Sequence, residues 1–198
     1  MTNLANPTPQ PLEEKPATSV PGQPDMWVFV LFETLLFTGY FSVYLVSRAQ
    51  NHELYLQSQT DLDLRIGVFN TIALLLSSWA VARCVQAARR AAYRSALINA
   101  FLTLSLGIVF LVAKVLEWVE QIHMGNTFTS NDFFQHYFFL TSIHCIHVLI
   151  GFVVLGVLVY QLWSPVRRSQ QLVETCATYW HTVDFLWVLI FALLYVVR

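Results

Sequence analysis

Residues 174–197 read ETCATYWHTVDFLWVLIFALLYVV, an apolar run that nevertheless carries Tyr179, Trp180, His181, Asp184 and Trp187. Crossing a bilayer as a helix takes roughly 20 residues, so the run is long enough to span. A carboxylate at that depth costs about 3 kcal/mol or more, so Asp184 must face protein rather than lipid and should have a partner. His181, three residues earlier, shares its helical face.

The rest of the chain has the same character. Of 198 residues, 56% are apolar and 12% charged, and the mean hydropathy is +0.54. Soluble domains carry about twice that charge. Four further stretches are long enough to span, residues 26–47, 66–88, 95–120 and 134–163, with 174–197 as the fifth. The expected fold is an all-α polytopic membrane protein of five transmembrane helices, forming one domain over 26–198. Residues 1–25 hold six of the seven prolines and no apolar run, which reads as a disordered Pro-rich tail. The tail lacks the basic start, apolar middle and cleavage site of a signal peptide, so the first span is expected to direct insertion.

Orientation follows from Lys and Arg at the span ends. The tail and the connections after spans two and four hold Lys15, Arg83, Arg89, Arg90, Arg94, Arg167 and Arg168, against Arg48, Arg65 and Arg198 on the other side. The N-terminus is therefore expected in the cytoplasm and the C-terminus outside.

Cys84, Cys145 and Cys176 lie in or beside spans without a CxxC pair, so they read as buried thiols rather than disulfide or zinc ligands. The aqueous connections contain no phosphate-binding Gly-rich loop and no nucleophile elbow, and they are too short for a catalytic domain. Nucleic acid is not an expected partner.

Chemistry or assembly must then be encoded by polar residues inside the spans. Glu33 lies about two turns into span one with no basic residue in its own span. Such a carboxyl is either a neutral hydrogen-bond donor or linked to a proton path or a lipid. Lys114 and Glu117 in span three can pair at i,i+3, and Gln121 continues that stripe. Span four offers His144 and His147, followed by Gly151 and Gly156 as points of close helix approach. Span five offers Tyr179, His181 and Asp184. Three histidines and several carboxylates could hold iron, copper or haem, but helix-borne di-iron sites use Glu-x-x-His, whereas the His-bearing spans four and five offer His-x-x-His and His-x-x-Asp. The competing reading is a buried polar network of Lys114, Glu117, His144, His147, Tyr179, His181 and Asp184. Asp184→Leu is then expected to strand its partner.

From Met26 onward these segments resemble a known family. MWVF (26–29) with Glu33, NTIALLLSS (70–78), TSIHCIHVLIG (141–151) and YWHTVDFLW (179–187), in this order along five spans, are similar to subunit III of the haem-copper oxidases in its five-helix form. Within that family NDFFQHYF (131–138), the Arg-rich connection after span two and LVE (172–174) resemble the NorE-type accessory proteins of nitric oxide reductase. Subunit III of a cytochrome c or quinol oxidase is the alternative. Lys114 has no clear counterpart in the oxidase pattern.

The resemblance implies an accessory subunit of an oxidoreductase complex in a bacterial inner membrane, with no catalytic, cofactor or metal residue of its own. Haem, with copper or non-haem iron, would lie in the catalytic partner subunit, and the assembly would be hetero-oligomeric rather than homo-oligomeric. Glu33 matches the intramembrane glutamate near the proton-uptake side, His144, His147, His181 and Asp184 match a polar core between spans four and five, and bound phospholipid is a further implied ligand. Outside the family, a haem-binding cytochrome using His144, His147 or His181 is the competing reading. A transporter would show an internal repeat with broken spans, and none is found.

Overall fold

The computed structural model describes residues 23–164 and 168–197. The tail reading therefore falls outside the described residues except at Gln23–Asp25, as do Lys15, Arg167 and Arg198. Six α-helices follow in order: α1 (Pro24–Gln50), α2 (His52–Gln59), α3 (Leu64–Arg89), α4 (Tyr93–His123), α5 (Asp132–Trp163) and α6 (Gln170–Phe191). A π-helical turn, Ala192–Val196, extends α6. Five of these helices are long and apolar enough to cross a membrane. They coincide with the five expected spans, each running a few residues further into the polar layer. In hydrocarbon every backbone group must be satisfied within its own segment, so long apolar runs have no alternative to the helix.

Local signals set the ends. Pro24 and Asp25 open α1, where a missing N–H costs nothing and a negative charge meets the helix dipole. Asp63 caps α3 by accepting from Arg65 N at 2.7 Å, and Asn131 caps α5 by accepting from Phe134 N at 2.9 Å. α4 closes with Gly125 at φ 89°, with Asn126 N donating to Gln121 O at 2.9 Å. α3 closes with the same wrap, Ala92 N to Ala87 O at 2.9 Å, but its left-handed residue is Ala91 at φ 56°.

The antiparallel hairpin of α3 and α4 forms the largest helix contact. α6 lies against α3, α5 packs on α4 and α6, and α1 leans on α5 and α6 at the edge. One face of the bundle carries the start of α1, the α3–α4 turn and the α5–α6 connection, with Arg89, Arg90, Arg94 and Arg168 among its residues. We call it the arginine-rich side. The opposite side holds α2, the α4–α5 connection and the π turn.

Two features escaped the sequence reading. α2 is only eight residues long and roughly half polar, so it gives no spanning signal. It is nevertheless anchored by Tyr55, which is wholly buried and meets Tyr44 and Phe133 edge-on at 5.5 and 5.7 Å between ring centroids. The π turn is held by Gln59, whose Nε2 donates to Leu194 O at 2.9 Å and Val197 O at 3.0 Å.

The glycines of span four need correction. A Cβ at Gly151 would lie 2.7 Å from Trp180 Cζ3, so this glycine admits an indole rather than a neighbouring backbone. Gly156 has nothing within 4 Å of its Cβ position and forms no helix contact in this chain. The close helix approach expected at this pair is therefore an indole contact at Gly151 and is not found at Gly156.

Candidate functional site

Among the described residues the polar groups inside the spans fall into three places, whereas the sequence suggested one network. The first joins α1 to α5. His147 Nδ1 lies 2.8 Å from Ile143 O, and because a carbonyl can only accept, that nitrogen carries a proton. His147 Nε2 faces Glu33 Oε2 at 3.1 Å. Either a neutral imidazole accepts from protonated Glu33, or an imidazolium donates to a carboxylate; in both cases one proton occupies the contact. The side chains retain 10% and 15% exposure for Glu33 and His147, so the pair borders the surface. Tyr179 OH donates to His147 O at 3.1 Å and brings α6 to the same spot. His147 thus turns towards α1, not into a core between spans four and five.

The second place is closed. Lys114 on α4 is wholly buried, and its ammonium donates to Glu117 Oε2 at 3.1 Å, Tyr137 OH at 3.1 Å and Tyr195 OH at 2.8 Å. Glu117 Oε1 accepts from Tyr137 OH at 2.9 Å and from Tyr195 OH. All three ammonium protons and both carboxylate oxygens are used. Such completeness is what lets a buried charge pair persist, since each group's desolvation is offset only when its partners are in place. The Nζ also sits 4.5 Å from the Tyr137 ring centroid and 5.4 Å from that of Trp187. Tyr195 reaches the cluster because the π turn advances it over Gly67, where a Cβ would lie 2.8 Å from the Tyr195 ring. Sequence reasoning found Lys114 and Glu117 but neither Tyr137 nor Tyr195 as their partners. A tyrosine near a span end is the only signal that was available.

The third place links α3, α4 and α6 at mid-depth. Trp180 Nε1 donates to Ser77 Oγ at 2.9 Å, Ser77 Oγ donates to Thr103 O at 3.1 Å, and His181 Nδ1 pairs with Ser78 Oγ at 2.7 Å. The serines of NTIALLLSS are thus the hydrogen-bond partners of span five. His144 lies beside them without a hydrogen bond on either nitrogen, its ring 5.6 Å from Phe110 and 5.3 Å from Trp187 between centroids. Asp184 is 3% exposed, and neither carboxyl oxygen meets the geometry of a hydrogen bond. His181 and Asp184 share a helix face but do not bond each other.

The donor set does not suit a metal. No group of three or more His, Cys, Asp or Glu is gathered among the described residues. His147 has both nitrogens engaged, His181 is tied to a serine, and His144 is walled by aromatic rings. Cys84, Cys145 and Cys176 are free and buried.

Comparison with known proteins gives a consistent picture. A family model described as "Cytochrome c oxidase subunit III" matches residues 22–197. The cytochrome c oxidase subunit 3 of Synechocystis sp. is 31% identical over 183 residues, covering 88% of this chain and 77% of that protein. The quinol oxidase subunit 3 of Bacillus subtilis is 28% identical over 174 residues, covering 85% of this chain and 83% of its own length. A haem-copper oxidase subunit I+III of Aeropyrum pernix is 29% identical over 180 residues, covering 87% of this chain and 22% of that longer protein.

Proposed function

Because the chain belongs to the cytochrome c oxidase subunit III family, we propose that it is a non-catalytic accessory subunit of a respiratory haem-copper enzyme, seated in a bacterial cell membrane against the catalytic subunit. The observation that carries this reading is the family match over residues 22–197, which takes in every spanning helix. The Aeropyrum relative, named as subunits I and III in a single chain, supports a direct contact with a subunit I. Haem, with copper or non-haem iron, belongs to that partner. The buried polar residues of this chain support the bundle and its docking, and Glu33 with His147 is the proton-holding pair.

The N-terminus lies in the cytoplasm on this reading, supported by Arg89, Arg90, Arg94 and Arg168 on one face of the bundle. Glu33 is nine residues inside α1, about 14 Å from that face at 1.5 Å per residue. That is the side from which such enzymes draw protons, so the pair sits where it can assist uptake into the partner.

Within the family the chain is of the NorE type, serving nitric oxide reductase; NDFFQHYF (131–138) and the arginine-rich α3–α4 turn support this. A terminal oxidase is the second reading, favoured by the oxidase names of the relatives. Deleting the chain from its host separates them. Membranes lacking it should consume nitric oxide more slowly while oxygen consumption holds. The reverse assigns the oxidase, and no change in either contradicts the accessory role.

A further inference from the structure

Cys84 on α3 and Cys176 on α6 are free, buried and unused by the three polar places above. They are far apart in sequence, and only the fold relates them. α3 and α6 run antiparallel, and side-chain bonds fix their register. Thr71 Oγ1 accepts from Trp187 Nε1 at 3.1 Å, Ser77 Oγ accepts from Trp180 Nε1 at 2.9 Å, Ser78 Oγ meets His181 Nδ1 at 2.7 Å, and Arg89 Nη2 lies 2.9 Å from Glu174 Oε1. Carried from Ser78–His181 towards Arg89–Glu174, that register sets Cys84 opposite Cys176.

Both cysteines lie on the faces that the two helices turn to each other. Ser77, Val81, Cys84 and Ala88 recur at three- and four-residue steps along α3, as do Val173, Cys176 and Trp180 along α6, and all are buried. Cys84 also falls within the electrostatic reach of the Cys176 sulfur, whereas Cys145 on α5 has Lys114 and Glu117 as its charged neighbours. The neighbouring side chains are small. Ala80, Ala88 and Ala177 are buried beside the cysteines, which favours the low end of the usual range of about 8–10 Å between helix axes. With Cα atoms about 2.3 Å off each axis, residues that face each other there fall within the ~4.4–6.8 Å Cα separation a disulfide requires. Cys84 precedes Arg89 by five residues and Cys176 follows Glu174 by two, so the pair lies about 3–8 Å inside the arginine-rich face at about 1.5 Å per residue.

We propose that Cys84 and Cys176 form a redox-active dithiol whose oxidation staples α3 to α6, the oxidant being an apolar hydroperoxide carried in the bilayer. An oxidant dissolved in hydrocarbon reaches sulfurs that aqueous reagents do not. Cys176 keeps 4% of its surface and Cys84 none, so Cys176 is the sulfur attacked and Cys84 the one that resolves. The Cys176 sulfur takes the terminal OH of the hydroperoxide as the O–O bond breaks, and its own proton goes to the departing alkoxide, giving a sulfenic acid and an alcohol. The Cys84 sulfur then displaces the hydroxyl, which leaves with the Cys84 proton as water, and the S–S bond forms. The two sulfurs are oxidised and the peroxide is reduced. The staple joins the helices that Ser77–Trp180 and Ser78–His181 already hold, and it is independent of the Glu33–His147 pair and of which enzyme is the partner.

The test treats the full chain in gentle detergent with cumene hydroperoxide, alkylates the remaining thiols and maps disulfides by mass spectrometry without reduction. Conversion of exposed Met124 to its sulfoxide shows that the oxidant has acted. The expected product is a linked Cys84–Cys176 peptide pair, two hydrogens lighter than the dithiol, cleaved by dithiothreitol and formed equally in Cys145→Ser. In Cys84→Ser, dimedone should trap a sulfenic acid on Cys176; in Cys176→Ser, Cys84 should stay reduced. The linked protein should melt several degrees above its reduced form, and the gain should vanish in Cys84→Ser. The same linked pair should appear in native membranes of cells challenged with the hydroperoxide and quenched with N-ethylmaleimide. The wild-type mapping decides alone if a variant fails to accumulate. Both thiols recovered reduced while Met124 is oxidised, or a linkage to Cys145 instead, overturns the proposal. So does a linked protein that melts no higher, or linkage in detergent without linkage in the challenged membranes.

Discussion

Lys114 Nζ lies 3.1 Å from Glu117 Oε2, with the two side chains 0% and 1% exposed, and two tyrosines from other helices close the circuit around them. An i,i+3 pair on a helix surface is worth a few tenths of a kcal/mol; this one is buried, so breaking it exposes the full cost of an uncompensated charge. Lys114→Met is expected to destabilise the protein by about 3–5 kcal/mol, and Glu117→Leu by a similar amount. The double variant should recover a substantial part of the loss, because Tyr137 and Tyr195 can then pair with each other. Apparent melting temperatures in detergent check this, and additive losses in the double variant would contradict the closed circuit.

Glu33 and His147 hold one proton between them. Glu33→Gln keeps a side chain that can bond Nε2, so the chain should assemble normally while turnover of the partner enzyme falls. His147→Gln should behave alike, and the double variant should be no slower than either single one. A carboxyl band in difference infrared spectra that moves on His147→Gln would locate the proton. Assembly and turnover unaltered in both variants across neutral pH would reduce the contact to packing.

Gly151 and Gly156 are expected to differ although they sit five residues apart on one helix. Gly151→Ala drives a methyl group to 2.7 Å from a wholly buried indole, an overpacking that costs about 1–3 kcal/mol. Gly156→Ala meets nothing in this chain and should melt like the parent. If Gly156→Ala loses only co-purification with the partner, the face around it is the docking surface.

Ala91 occupies the left-handed position that Gly125 fills at the end of α4. A Cβ there costs about 1–2 kcal/mol, so Ala91→Gly should raise the melting temperature. The gain is expected to be partial because glycine also loosens the unfolded chain.

The bundle was legible because hydrocarbon admits few structures, so run length alone locates the spanning helices. The Lys114–Glu117 pair was legible for the same kind of reason, since helical periodicity places residues three apart side by side. Periodicity says nothing about which helix a face meets. Glu33 was read as having no basic residue in its own span, and the imidazole that meets it comes from α5. His181 and Asp184 share a face, but Ser78 on α3 reaches His181 first and Asp184 is left without a hydrogen bond. Asp184→Leu therefore leaves His181 bonded to Ser78 and removes the carboxyl that neighbours the same serine. Tyr195 depends on a π turn, and α2 on burial of one tyrosine, neither of which leaves a pattern in sequence.

The most direct measurement is purification of the tagged full chain from its native membrane in a gentle detergent, with a visible spectrum and identification of every polypeptide in the same sample. The account predicts a haem spectrum that travels with a co-purified large catalytic subunit and is lost when that subunit is stripped away. Haem remaining on this chain alone, or recovery of the chain without any haem-bearing partner, would contradict it.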